Sequence, residues 1–150
     1  MTVRTAVLLA ALFFSPLLPT AHPLLAAEKT INIKEKMFAG QIDDIYLNNK
    51  EYEGKTVNIA GMYMPLEIRG KKSQLIYRYG PGGCCGNDAL VGILFEWGGA
   101  LPKKEGAWIE ITGKKKKKKY GAEKEIVIAA SSFHSIKPQK SYIKKKKKNS

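Results

Sequence analysis

A series of short apolar segments, separated by turn residues and never by a stretch long enough for a helical crossover, limits this chain to a small β fold. Five segments show the two-residue alternation of a half-buried strand or the continuous apolar character of a central strand. They cover residues 56–64, 74–79, 89–97, 107–113 and 125–130. Short strands joined by glycine-rich turns are typical of closed antiparallel barrels. The sequence therefore predicts a mainly β fold, a small five-stranded OB-like barrel, with a β-sandwich as the alternative.

The segment before the first of these strands has a different periodicity. Four of its apolar residues stand at i, i+4, i+7 and i+8, the single apolar stripe of a surface helix. These are Phe38, Ile42, Ile45 and Tyr46. They predict one short helix over residues 37–47, and a weak alternation predicts a lead-in strand within residues 29–35. We therefore assign the lead-in strand and helix to residues 28–50 and the OB-like β-domain to residues 51–137.

Three further expectations concern the ends of the strands. Pro65 is expected to end the first strand. Residues 114–119, all lysine, are expected to fill the turn into the fifth strand. Residues 131–136, which include His134, are expected to form a short segment after the last strand, such as one helical turn.

Residues 1–27 have the three parts of a secretion signal. Arg4 precedes an apolar run, and the small residues Ala26 and Ala27 provide a cleavage site. The apolar run is too short and too often interrupted by proline for a membrane span, which needs about 20 apolar residues. The sequence predicts a signal peptide and, after its removal, a soluble periplasmic or secreted protein.

The net charge of +13 is concentrated in two lysine tracts. One is bounded by Lys114 and Lys119, the other by Lys144 and Lys148 within residues 138–150, which we expect to be a disordered basic tail. Such tracts are usually solvated, but near an anionic membrane surface each lysine contributes about 1 kcal/mol of attraction. The alternative function is therefore an envelope protein held to anionic surfaces. Nucleic acid is not expected, because neither tract has interleaved aromatic residues for base stacking.

The only two cysteines, Cys84 and Cys85, are adjacent and lie in a glycine-rich segment with Asp88. A structural disulfide usually gains its stability by closing a long loop, which an adjacent pair does not do. Three states remain open. The pair forms a strained, easily reduced vicinal disulfide, or stays as free thiols that bind a soft ion, or packs as two small apolar side chains in the loop.

Two free thiolates favour a soft metal ion, Zn or Cu, or a metalloid. Asp88 and His134 are the candidate further ligands, since the other histidine, His22, lies in the predicted signal peptide. Together with Cys84 and Cys85 they would complete a tetrahedral shell, although the spacing matches no common zinc motif.

A catalytic role is not expected for this chain. Adjacent cysteines flanked by glycine do not supply the Cys-x-x-Cys helix start of a thiol oxidoreductase. No serine triad, paired-carboxylate site or phosphate loop stands out either. The sequence predicts a non-enzymatic binding module, in which Tyr63, Tyr77 and Tyr79 are either the ligand-binding face or interior residues with hydroxyl groups at the rim.

Residues 52–143 resemble an uncharacterised bacterial family, the YcgQ-type proteins. The matching pieces are residues 54–61, the Cys-Cys-Gly-Asn-Asp element at 84–88 with Gly92 after it, residues 108–113 and residues 138–142. The double-cysteine element with its downstream aspartate is the specific part of this likeness. The resemblance implies an OB-like soluble domain, often encoded beside a permease that is similar to transporters of metalloid compounds. It therefore implies an envelope or permease partner, although typical members have a membrane tether where this chain has a predicted signal peptide.

Overall fold

The computed structural model describes residues 30–33, 35–80 and 89–139. The elements in chain order are β1 Ile31–Ile33, a 3-10 turn Glu35–Met37, α1 Phe38–Leu47, a 3-10 turn Asn49–Tyr52, β2 Thr56–Ile68, β3 Lys71–Gly80, β4 Ala89–Glu96, β5 Trp108–Tyr120 and β6 Glu123–Ser135. Several predicted features lie outside the described residues. They are the signal peptide at residues 1–27, the tail from residue 140 onward with Lys144 and Lys148, and the loop residues Cys84, Cys85 and Asp88.

Strands β2 to β6 form a closed barrel. The sheet order is β1-β2-β3-β4-β6-β5, and a further pairing of β2 with β5 closes it. The long strand β2 allows this closure, because its first half pairs with β5 up to Met62 and its second half pairs with β3 from Met62 onward. β1 adds a short parallel strand that begins opposite Val57. The prediction of a mainly β, five-stranded OB-like barrel is confirmed.

The barrel interior is filled by β-branched side chains from every barrel strand. Those with no exposed surface are Val57, Ile59, Ile76, Ile93, Ile109, Ile111 and Ile128. Burial of each stabilises the fold by about 1.5–3 kcal/mol. Helix α1 adds the buried side chains of Phe38, Ile42 and Ile45 to the same core, which confirms three of the four residues of the predicted apolar stripe. The fourth, Tyr46, is 38% exposed. No helix in the described part of the chain is long and apolar enough to cross a membrane.

Pro65 does not end β2, contrary to the prediction, because the strand continues through it to Ile68. Beyond Tyr63, β2 pairs along the described residues with β3 alone, and Pro65 lies opposite Gln74. The other side of β2 is an edge at this point, and a proline at an edge removes no ladder hydrogen bond.

Residues 114–119 are the second half of β5 and not a turn. They pair with β6 in antiparallel register, from Lys114 opposite Ala129 to Lys119 opposite Lys124. Isoleucine and valine side chains of β6 lie opposite the middle of the lysine run, and such β-branched residues favour strand pairing. The prediction was wrong because the strand-forming signal lies on the partner strand.

The remaining strand ends also differ from the prediction. β6 runs through His134 to Ser135, so the expected helical turn over residues 131–136 is largely strand. The turn between β5 and β6 is tighter than expected, and Gly121 adopts a φ of +67° there.

Gly113 lies at a register shift in the pairing of β5 with β6, where an added Cβ would be 2.2 Å from the carbonyl oxygen of Ala129. Only glycine fits this bulge without moving backbone.

Candidate functional site

The predicted cysteine loop joins the paired ends of β3 and β4. Gly80, the last residue of β3, pairs with Ala89, the first residue of β4. Gly80 also lies against the first turn of α1, since a Cβ added there would be 3.6 Å from the Cβ of Ala39. The sheet therefore pairs the two strand ends from which this loop leaves, and the helix lies against the first of them. Cys84 and Cys85 themselves lie outside the described residues.

A buried arginine precedes the loop on β3. Arg78 is only 4% exposed. Its Nε donates a hydrogen bond of 2.8 Å to the carbonyl oxygen of Ala60, and its Nη2 donates one of 2.6 Å to Oε1 of Gln139. The guanidinium carbon is 5.3 Å from the ring centre of Phe38 and 4.9 Å from that of Trp108. Two aromatic faces thus stabilise a cation from which water is excluded.

The position of Arg78 follows from the way the strands end. On one edge of β2, β1 reaches as far as Ile59, and β3 begins its pairing at Met62. Ala60 lies between these two pairings. Its carbonyl oxygen accepts a hydrogen bond from the Arg78 side chain, where a neighbouring strand would otherwise supply a backbone N–H. Burial lowers the pKa of Arg78, and the nearby carboxylate of Glu35 partly opposes this. The Nη1 atom is buried and has no hydrogen-bond partner in the described residues.

His134 is exposed on β6, opposite Glu110 of β5. His134 lies on the part of β6 that pairs with β5. Across the sheet from there, β5 and then β2 separate it from β3, the strand that leads into the cysteine loop. The described residues hold no group of three or more His, Cys, Asp or Glu side chains suited to a metal ion. His134 is therefore not placed beside another candidate ligand that the structure describes.

The three predicted tyrosines lie on two faces of the sheet. Tyr63 pairs with Ile76, and both belong to the barrel core, where the Tyr63 ring meets Phe95 edge-on at 6.3 Å. Tyr77 points to the opposite face from Ile76, and its ring meets that of Tyr79 edge-on at 5.6 Å. Burial raises the pKa of both Tyr63 and Tyr77. The structure thus brings Tyr77 and Tyr79 together and places Tyr63 apart from them.

The first lysine tract contains both structural and exposed side chains. Lys115 is buried, and its ammonium group donates to the carbonyl oxygen of Asn49 and lies 3.5 Å from a carboxylate oxygen of Glu53. Lys114 and Lys119 are exposed, and Lys119 lies opposite the exposed Lys124.

Two lysines of the tract bind one carboxylate. Lys116 and Lys118 both form ion pairs with Glu96 of β4. Hydrogen bonds from these two lysines hold the pKa of Glu96 below its usual value. These ion pairs link β4 to β5 across β6, the strand that lies between them.

Two adjoining clefts lie along the first half of β3, where the sequence analysis placed no site. Each encloses about 450 Å³, and both are lined by Lys72, Ser73 and Gln74. The Oε1 atom of Gln74 is buried and has no hydrogen-bond partner in the described residues. Gln74 Oε1 and Arg78 Nη1 are both buried without a hydrogen-bond partner in the described residues. The sequence could have indicated these two residues, because strand alternation places both polar side chains on the same face as Ile76.

The comparisons with known proteins give one match. A family model described as the DUF1980 C-terminal domain matches residues 18–144, which include the whole barrel. No curated protein matches the chain, and no solved structure does.

Proposed function

This chain belongs to the DUF1980 C-terminal domain family, an uncharacterised bacterial family, and we propose that it is a non-enzymatic binding module whose reactive element is the thiol pair Cys84 and Cys85. The observation that carries the proposal is their adjacency in a loop whose two ends, Gly80 and Ala89, are paired on a closed barrel. The two thiols are neighbours because their residues are adjacent in sequence, and the pairing of Gly80 with Ala89 fixes the place on the barrel where the segment that carries them begins and ends.

The thiol pair has two modes of action in this proposal. As thiolates, the two sulfur atoms bind a soft metal ion such as Zn or Cu, or a metalloid, with Asp88 as a further ligand. As a redox switch, they form a vicinal disulfide by exchange with a disulfide of a partner protein, which is reduced to two thiols while the pair is oxidised. The strain of an adjacent-residue disulfide makes the return step easy.

Calorimetric titration of the reduced full chain with Zn²⁺ and with arsenite tests the ligand. We expect saturable binding that the Cys84→Ser and Cys85→Ser variants each lose. The His134→Ala variant tests whether this histidine is a ligand. A site made by the two thiols keeps its affinity for Zn²⁺ in this variant, whereas a four-ligand site that includes His134 loses affinity for Zn²⁺. Absence of binding by the reduced wild-type chain would remove the ion-binding mode, and failure of a disulfide to form under mild oxidant would remove the redox mode.

Export and a membrane partner form part of the same proposal. The YcgQ-type resemblance supports a permease or other envelope protein as partner, and the signal-like residues 1–27 support a periplasmic location. Fractionation of cells that express the full chain is expected to place a product shortened at its N-terminus in the periplasm. A full-length product in the cytoplasm would contradict this part of the proposal.

A second candidate function is attachment to anionic surfaces. Its specific support is the exposed pair Lys119 and Lys124, which face each other across β5 and β6, and the exposed Lys117 beside them. Such clustered charge is attracted to anionic lipid and is screened by salt. Co-sedimentation with phosphatidylglycerol vesicles is expected to fall with salt and to weaken when Lys144 to Lys148 are replaced by glutamine. Binding that survives glutamine replacement of both lysine tracts would contradict it.

A further inference from the structure

The outer lysines of β5 fall into two groups, and only one group is neutralised within the protein. Lys116 and Lys118 are both paired with Glu96. Lys117 and Lys119 alternate with them along the strand and therefore point to its other face. These two are exposed, and neither forms an ion pair with a carboxylate that the structure describes. The uncompensated positive charge thus lies on one face of the strand.

The second strand of the hairpin adds to this charge. Lys124 of β6 is exposed and lies directly opposite Lys119. Like charges opposite each other on a sheet repel, so they destabilise the pairing of the strands. An anionic partner would offset this repulsion. We call Lys117, Lys119 and Lys124 the hairpin lysines.

The C-terminal end of α1 lies close to the same face of the hairpin. Lys115, which alternation places on the face of the hairpin lysines, donates from its ammonium group to the carbonyl oxygen of Asn49. On β6, Glu125 is near enough to Tyr46 that its charge adds to burial in raising the pKa of the tyrosine. The chain is therefore close to the hairpin on both sides of Leu47.

The end of α1 presents an apolar side chain to solvent. Of the large apolar side chains that the structure describes, Leu47 is the most exposed, at 81%. Tyr46 beside it combines an apolar ring with a polar end, as aromatic residues at membrane interfaces do. The exposed Asp43 lies one turn earlier on the same side of the helix as Leu47. An anionic surface would repel that carboxylate, so it favours contact through the end of the helix and not along its side.

From these observations we propose that the hairpin lysines and Leu47 form one docking surface for an anionic lipid bilayer. The inference rests on the second candidate function above and adds which face of the folded domain meets the membrane. The lysine ammonium groups bind lipid phosphate, and the Leu47 side chain enters the boundary between headgroups and acyl chains. A soluble phosphate polymer would bind the lysines but leave the leucine in water, so the exposed leucine favours lipid over nucleic acid.

This orientation keeps the start of the cysteine loop away from the bilayer. Gly80, the residue of β3 from which the loop leaves, lies against Ala39 in the first turn of α1. Ala39 is eight residues before Leu47, roughly 12 Å along the helix. A protein docked through the end of α1 therefore has this strand end on the side away from the lipid.

Tryptophan fluorescence at position 47 tests the proposal. The full-chain Leu47→Trp variant is mixed with vesicles of phosphatidylglycerol and phosphatidylcholine that have brominated acyl chains, which quench an indole that enters the bilayer. We expect quenching beyond that of the wild type, which supplies the background of the two native tryptophans, and we expect high salt to reverse it. Met37→Trp, at the other exposed apolar position beside α1, is the matched control and is expected to show no added quenching.

Co-sedimentation with the same vesicles tests the lysines. Glutamine replacement of both Lys117 and Lys119 is expected to weaken binding roughly 20-fold, from roughly fivefold for each lysine near an anionic surface. Glutamine replacement of both Lys103 and Lys104, an exposed pair before the other end of β5, removes the same charge. This control is expected to weaken binding less than about threefold, because it lies away from the docking surface.

Four results would overturn the inference. They are equal quenching at positions 37 and 47, equal quenching at position 47 by vesicles of phosphatidylcholine alone, equal effects of the two lysine pairs, and protection of position 47 by oligothymidylate in place of lipid. Vesicle binding that depends only on Lys144 to Lys148 would retain the second candidate function and overturn this inference alone. Absence of vesicle binding by the wild-type chain would remove both.

Discussion

Arg78 donates a hydrogen bond of 2.8 Å from Nε to the carbonyl oxygen of Ala60, at a point on β2 that neither β1 nor β3 reaches. The side chain thereby links the end of β3 to β2 after the strand ladder between them has stopped. Because β3 ends two residues later, at Gly80, this contact stabilises the end of the strand from which the cysteine loop leaves. The same guanidinium joins Phe38 of α1 to Trp108 of β5.

Replacement of Arg78 by methionine is expected to destabilise the fold. Arg78→Met retains an apolar stem between the two rings but leaves the carbonyl group of Ala60 without its charged donor, and a hydrogen bond to a charged group is worth about 1.5–3 kcal/mol. We expect the free energy of unfolding in urea to fall by about 2–3 kcal/mol. Lys117→Met, on an exposed part of β5, is the control and is expected to change it by less than about 0.5 kcal/mol. Equal effects of the two substitutions would contradict the role given to Arg78.

The lysine tract is expected to respond unevenly to substitution. Lys115→Met removes the donor to the carbonyl oxygen of Asn49 inside the protein, so we expect a loss of about 1–3 kcal/mol of unfolding free energy. Lys119→Met removes one of two like charges opposite each other and is expected to be neutral or slightly stabilising. Chemical denaturation of both variants checks this. A tract that is only solvated chain would give the same small effect at both positions.

Two glycine substitutions are expected to have opposite signs. Gly113→Ala places a Cβ against the backbone oxygen of Ala129, a contact that only a backbone shift relieves, so a loss of about 1–3 kcal/mol is expected. Gly40→Ala in α1 meets no atom within 4 Å and is expected to stabilise the chain by up to about 1 kcal/mol. The midpoints of thermal unfolding report both changes, and a stable Gly113→Ala protein would show that the bulge is not tightly packed.

Acid stability is expected to depend on Glu96. Hydrogen bonds from Lys116 and Lys118 lower the folded-state pKa of this carboxyl group. Its contribution is therefore present above the unfolded-state pKa, about 4.3, and is lost as the pH falls through the lower folded-state pKa. Unfolding free energies measured between neutral pH and acid are expected to fall less steeply for Glu96→Gln than for the wild type. Parallel profiles for the two proteins would contradict the assigned ion pairs.

The barrel and the helix were predictable because their signals are local. The alternation around Ile59 and Ile76 and the helical spacing of Phe38, Ile42 and Ile45 each lie within one element, and the structure confirms both. The extent of β2 was not predictable in this way. Pro65 is tolerated because β5 does not extend beside it, and that is a property of the whole barrel.

The surroundings of Lys115, Arg78 and Gln74 could not be predicted from the sequence for a different reason. Burial of Lys115 depends on the carbonyl group of Asn49, which is 66 residues away in the chain. The contacts of Arg78 with Phe38 and Trp108 likewise join three separate elements. The face of β3 on which Gln74 and Arg78 lie was readable from alternation, but the cleft beside Gln74 and the strand gap beside Arg78 arise only when the strands are assembled.

We propose that Cys84 and Cys85 act together as one reactive pair. The most direct test of this proposal is the native intact mass of the protein isolated without reductant, compared with the same sample after reduction and denaturation. We expect the two masses to differ, either by a gain of two hydrogen atoms as a vicinal disulfide opens or by the loss of a bound ion. Identical masses before and after treatment, with both thiols free throughout, would contradict it.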